Sequence, residues 1–306
     1  MPHDAAPSLW KFGGLGPVQL IKLVVHKISE DELSIRSSSL SYYFLLALFP
    51  LLLFLVSLLA VFAGPGTQLQ EHIISGLGRL APGSASAVVE RVVHQTFQSS
   101  SGLKLAAGIL GALWAASGGV SAVVVSLNKI FQVPEKRPWW KQKLVIIGLT
   151  LAISALIIVA ITLALYGGKI GQAIFSHVGA GNIFAVIWKT LQWPVALGAM
   201  FLAFAMMYYF APDLEERTWY WVSPGSVAGV IIWLLASVGF RYYLHFFNSY
   251  NKTYGSLGAV IILILWLYIT GFAILIGGEV NWVIESQDKK TPAFEKRKHG
   301  VQPEAA

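Results

Sequence analysis

Between Leu257 and Gly278 the chain runs for 22 residues without a charged side chain, LGAVIILILWLYITGFAILIGG. At about 1.5 Å of rise per residue, a helix of that length crosses a hydrocarbon layer roughly 30 Å thick. Lipid offers no hydrogen bonds to a free backbone, so the run reads as a membrane-spanning helix. Its ending is abrupt. Gly277 and Gly278 thin the helix surface, Glu279 then sets a carboxylate at the hydrocarbon boundary, and Asn281 follows. A charge in that position needs a partner, and Asn128, Lys129, Arg36 and Lys143 are the groups that the order of the spans brings to the same side.

Five further apolar runs precede this one, at roughly 42 to 63, 103 to 127, 144 to 168, 187 to 210 and 222 to 243, with the last ending near 282. The expected fold is therefore all-α: a polytopic membrane protein with a bundle of six transmembrane helices, an N-terminal amphipathic helix and a helical periplasmic loop. Residues 1–41 form the N-terminal segment, 42–283 the six-span domain, and 284–306 a basic tail expected to be disordered. Composition agrees, since 56% of the 306 residues are hydrophobic and only 12% charged. Many of the eleven Trp and eleven Tyr lie near the ends of the apolar runs, where amphipathic rings anchor at the interfaces. The N-terminus shows no basic region leading into a short apolar core, so no cleavable signal is expected.

The net charge of +7 raises the question of nucleic acid, and its placement answers it. Six spans put both termini on one side. Fifteen of the 22 Lys and Arg fall there and seven on or near the other, which predicts cytoplasmic termini. The basic balance is then a topology signal, with attraction to anionic headgroups as a secondary use. With no cysteine, disulfides and thiolate metal sites are excluded. The seven histidines are scattered over both sides without an acidic cluster at metal spacing, so neither a metal nor a cofactor is expected.

Along the chain, PVQLIKLVVHKISEDE (Pro17 to Glu32) places Leu20, Ile21, Val24, Val25 and Ile28 near one helical face, which suits either a helix on the membrane surface or one packed under the bundle. Ser37, Ser38, Ser39 and Ser41 precede the first span and are expected to cap it. Pro50 within that span removes a backbone donor. The segment from Gly64 to Gly102 shows helical periodicity of its own. In the second span Ala115, Ala116, Ser117, Gly118 and Gly119 form a run of small residues, which suits close helix packing or a groove for an acyl chain or headgroup. Asp213, Glu215 and Glu216 after Pro212 read as a solvated acidic turn. In the fifth span Pro224 suits a first helical turn, and Gly225 and Gly229 offer a close-packing face. Arg241 falls at the opposite side of the membrane from Glu279, so the two are not expected to pair.

Three stretches together, SLSYYFLLALFPLLL, LWAASGGVSAVVVSLNKIFQVPEKRPWWKQK and the segment from YYFAPDLEERTWYWVSPG through GGEVN, resemble the YihY/virulence factor BrkB family of bacterial inner-membrane proteins. The resemblance runs in order from about Ile21 to Ile284. Pro50, Asn128, Pro212, Pro224, Gly225, Tyr250, Tyr254, Gly255, Trp266, Gly278, Glu279 and Asn281 match the family pattern. Gly118 and Val125 stand where some members carry a basic residue, which argues against a mechanism resting on a cation borne by the second span. The resemblance implies a six-span protein of the cytoplasmic membrane. It also brings an old label, ribonuclease BN, and a role in envelope lipid or lipopolysaccharide handling.

Three functions follow as expectations. The first is lipid transport or lipid handling, with a phospholipid or lipopolysaccharide-type substrate entering sideways between helices. The second is a scaffold or docking subunit of an envelope complex, working with an envelope protein partner through the outer loop. The third, a ribonuclease, is disfavoured because no segment outside the lipid is long enough to fold around RNA; an enzyme is not expected. The polar or hinge positions singled out are Glu279, Asn281, Asn128, Lys129, Arg36, Pro50, Ser117, Tyr254, Gly255 and Arg241. Replacing Glu279 by leucine is expected to destabilise the bundle by stranding its polar partners. The glycine faces are compatible with a homo-oligomer.

Overall fold

The structure, a computed structural model, describes residues 9–63, 102–176, 182–215, 221–246 and 256–290. Those residues are helical with short connections, and no strand occurs among them. A 3-10 turn at Leu9–Gly14 leads into α1 (Pro17–Glu30), α2 (Leu33–Ala63), α3 (Gly102–Ile130), α4 (Trp139–Ser176), α5 (Asn182–Phe210), α6 (Pro224–Phe246) and α7 (Ser256–Lys290). Six of them, α2 to α7, contain a stretch long and apolar enough to cross a membrane. The expected loop helix before residue 102, the tail beyond 290, and Tyr254 and Gly255 lie outside the described residues.

Helix α7 is the axis of the assembly. Its face carrying Ala273, Ile274, Leu275, Gly277, Gly278 and Val280 is buried, and it touches α2, α3, α6 and α1. Close approach is possible because side chains are missing where they would collide. A Cβ on Gly225 of α6 would run into the Gly277 carbonyl and Asn281, and one on Gly278 into Leu127 of α3. The main core joins Leu33 and Leu40 of α2, Val123, Val124, Leu127 and Ile130 of α3, Ile146 and Leu149 of α4, and Ile274 and Leu275 of α7. Only 22–33% of each span window is buried inside the bundle, so most of the apolar surface faces outward, as lipid requires.

Of the two alternatives left open by its sequence, the packing of helix α1 under the bundle is seen. Val24 is buried against Val280, Val283 and Ile284 of α7, with Leu20, Leu23 and Ile28 beside it, while Val18, Ile21 and Val25 point outward. The chain then turns at Asp31 and Glu32, the latter with φ at 53°, and enters α2 directly. The four serines expected as caps therefore sit inside α2, which begins at Leu33. Ser38 and Ser41 bond back to the carbonyls of Ser34 and Ser38, a local habit of hydroxyls within helices. Helix α2 continues through Pro50.

Candidate functional site

At the end of the bundle where α1 lies, three polar knots hold the helix ends, and one carboxyl group belongs to none of them. The first knot starts from Asn281. Its Oδ1 accepts the backbone N–H of Gly225 at 2.9 Å, and its Nδ2 donates to Ser223 Oγ at 3.0 Å. Ser223 and Ser226 cap α6 reciprocally: the N–H of Ser226 donates to Ser223 Oγ and that of Ser223 to Ser226 Oγ. This is the capping-box arrangement with serine in place of the usual glutamate, and Pro224 occupies the first turn, where its missing donor costs nothing. Asn281 thus ties α7 to the start of α6.

The second knot joins α3, the loop after it and the end of α5. Asn128 donates to Glu135 Oε2 at 2.9 Å and accepts the N–H of Asp213 at 2.8 Å. Glu135 receives Arg137 in a fork, Nε to Oε1 and Nη2 to Oε2, both at 2.7 Å. The same guanidinium donates to the carbonyls of Phe210 and Ala211, the acceptors that α5 leaves free where Pro212 ends it. These bonds hold the Glu135 carboxyl below the ordinary carboxylate range, Arg137 contributing most. Of the residues read as a solvated acidic turn, Asp213 is instead drawn in, accepting the Lys136 N–H 3.6 Å from Arg137, whereas Glu215 is exposed and pairs with Lys136 at 2.7 Å, and Glu216 lies outside the described residues. The loop folds back along α5, which no local pattern announced.

The third knot is the α1–α2 turn. Arg36 donates from Nε to the Asp31 carbonyl at 2.8 Å. Lys27 lies 3.0 Å from Glu30 and 3.7 Å from Asp31, with its ammonium 4.7 Å from the Trp282 ring. Burial disfavours that ammonium, and the two carboxylates outweigh it, holding Lys27 above the usual lysine range. Glu30 is held low in turn by its bond from Lys27.

Glu279 lies behind this turn and is fully buried, and no N–H or hydroxyl donor reaches its carboxyl oxygens; the group it meets is the Asp31 carboxyl. The groups that face it are Asp31, Lys27 and Glu30. The partners expected from the sequence are all engaged elsewhere or turned away: Asn128 serves the second knot, Arg36 the α1–α2 turn, Lys143 bonds Ser117, and Lys129 is exposed. The reason is length. Helix α1 ends so close to α2 that its C-terminal charges, rather than those of the loop after α3, come to lie beside Gly278 and Glu279. Asp31, whose Oδ2 is also buried without a hydrogen bond, stands between Glu279 and a cleft of about 580 Å³ lined by Glu30, Asp31, Asn128, Lys129, Gln132, Val133 and Pro134. The spacing of Lys27, Glu30 and Asp31, three and four residues apart at the end of a helix, was the signal that could have found them.

Three other singled-out residues lie away from this end. Arg241 is exposed near the far end of α6. Ser117 is buried at the middle of α3, where it donates to the Trp114 carbonyl at 2.6 Å and receives the Lys143 ammonium at 2.6 Å. Pro50 is half-buried in α2. Among the described residues no three His, Cys, Asp or Glu side chains are grouped so as to hold a metal ion.

Comparison with known proteins places this arrangement. The family model described as Virulence factor BrkB matches residues 24–300. A ribonuclease-like protein, YfkH, of Bacillus subtilis is 34% identical over 272 residues, covering 89% of this chain and 97% of that one. A UPF0761 membrane protein of Vibrio campbellii is 30% identical over 277 residues, covering 87% and 82%. Another, VSAL_I2938 of Aliivibrio salmonicida, is 29% identical over 268 residues. No solved structure matches the chain.

Proposed function

The chain belongs to the virulence factor BrkB family of membrane proteins, and from that premise we propose that it handles envelope lipid, moving or delivering a phospholipid or lipopolysaccharide-type molecule along the helix faces of the bundle. The observation that carries this reading is Glu279. A buried acid retained only to hold helices together would be wrapped in donors, as Asn281 and Asn128 are. Glu279 is met instead by a second carboxyl, that of Asp31, which lines an open cleft. Ionisable groups left in that condition at membrane depth mark working sites, where charge or partners change as helices move.

In this reading the α1 end lies in the cytoplasm of a bacterial inner membrane, as the excess of Lys and Arg on that side favours. The outward row Val18, Ile21 and Val25 then rests in the headgroup layer. YfkH carries a ribonuclease-like name; RNA cleavage by this chain would require an acid–base pair or metal outside the lipid.

The test is reconstitution in vesicles containing a fluorescent phospholipid, with transbilayer movement read by quenching from outside. The native protein is expected to accelerate movement and Glu279→Gln to slow it strongly. Movement by neither, at verified insertion, removes the lipid-transport reading.

A further inference from the structure

Halfway along α3 a positive charge stands where nothing acidic accompanies it. Ser117 is 13 residues from the end of α3 at Ile130, roughly 20 Å along the helix axis at 1.5 Å per residue. Lys143 reaches it from α4, donating to Ser117 Oγ at 2.6 Å with the ammonium 4.0 Å from the Trp114 ring centroid. Lys143 is the fifth residue of α4, which begins at Trp139. Trp114 is 56% exposed, and Leu110 and Leu144 beside it also face outward, so this wall meets lipid rather than the bundle interior. The floor is open: a Cβ on Gly111, Gly118 or Gly148 would meet nothing within 4 Å.

We infer that Lys143, Ser117 and Trp114 form a membrane-facing site for the phosphate of an anionic phospholipid headgroup. An ammonium has three donors. Ser117 takes one, the ring covers one side, and no ion pair to Lys143 occurs among the described residues, so donors remain for phosphate oxygens. An ammonium with no acidic partner beside an apolar wall is costly, and a phosphate arriving from the lipid supplies the missing negative charge. The open glycine floor gives the headgroup room beside the backbone. The class of lipid follows from Trp114. Lys143 lies 4.0 Å from its ring, so a choline cation brought to this tryptophan would meet a like charge close by. Phosphatidylglycerol-type headgroups are favoured over phosphatidylcholine.

This inference rests on the lipid-handling reading and gives it a binding station on the outer wall of the bundle. The same side chains would recognise a soluble phosphate ester, so the test has to separate the two sources. The full chain, purified in mild detergent, is titrated with phosphatidylglycerol, phosphatidylcholine or glycerol phosphate, and bound ligand is read by native mass spectrometry and thermal unfolding. Lys143→Gln is expected to weaken phosphatidylglycerol binding about tenfold, the loss of one charge-assisted contact. Lys143→Arg should retain most of it, and Lys22→Gln, an exposed lysine on α1, should behave as native. If Lys143→Gln fails to fold, Ser117→Ala, which frees the ammonium from its aim, carries the test and should weaken binding severalfold. Equal binding by native protein and these variants overturns the site. Protection by glycerol phosphate as strong as by phosphatidylglycerol overturns the assignment to lipid. Vesicle transport that persists in a variant with native-like binding would leave the function standing while the site falls.

Discussion

Asn281 and Glu279 sit two positions apart on one helix, yet their side chains do opposite things. Asn281 satisfies the N–H of Gly225 and the hydroxyl of Ser223, all buried. Asn281→Ala strands that N–H and should cost about 2–3 kcal/mol, read as a lowered unfolding temperature in detergent. Glu279 is held by no donor and faces only the Asp31 carboxyl and its neighbours, so Glu279→Leu should leave stability unchanged or raise it, because replacing a buried acid by an apolar side chain is often neutral or favourable. This reverses the expectation drawn from sequence. The position of Glu279 at the end of an apolar run was legible, since a charge interrupts that pattern wherever it falls. Its surroundings were not, because they depend on how tightly the α1–α2 turn closes, and that turn rests on the Arg36 bond to the Asp31 carbonyl and a left-handed Glu32. Lys143 was visible as a cation near a span start, but its reach to Ser117 on another helix was not.

Helix contacts in this bundle depend on absent atoms and on tied ends. Gly225 and Gly277 face each other across α6 and α7, and Gly225→Ala would force a Cβ into the Gly277 carbonyl. That variant should lose several degrees of thermal stability or fail to accumulate, whereas Gly118→Ala, with open space around it, should unfold as native does. The small-residue face of α6 was readable from spacing alone. The loop clamp was not: Glu135 and Arg137 look like ordinary charges of a basic loop until α5 is laid beside them. The clamp has a pH signature. The Glu135 carboxyl titrates below its ordinary value of 4.5 because of Arg137 and Asn128, so its contribution is complete above that value and is lost as pH falls through the lower, folded one. Thermal unfolding should be flat near pH 6 and weaken below about pH 4.5, with Glu135→Gln removing part of that slope.

At the scale of the whole molecule, six spans with both ends on one side follow from counting apolar runs, and the six long apolar helices agree with that count. Helix boundaries shifted where hydropathy is silent: α2 begins at Leu33, well before the apolar run that starts near residue 42, because the polar serines continue the helix. If the α1 end faces the cytoplasm, a reporter fused to the C-terminus should be active only as a cytoplasmic reporter; activity only as an exported reporter would invert the assignment of sides. The central claim is that Glu279 works rather than holds. It is tested most directly by measuring, on one preparation of Glu279→Gln, both the thermal unfolding in detergent and the rate of phospholipid movement in vesicles. The account predicts native or higher stability together with strongly slowed movement. A marked loss of stability with native transport would contradict it.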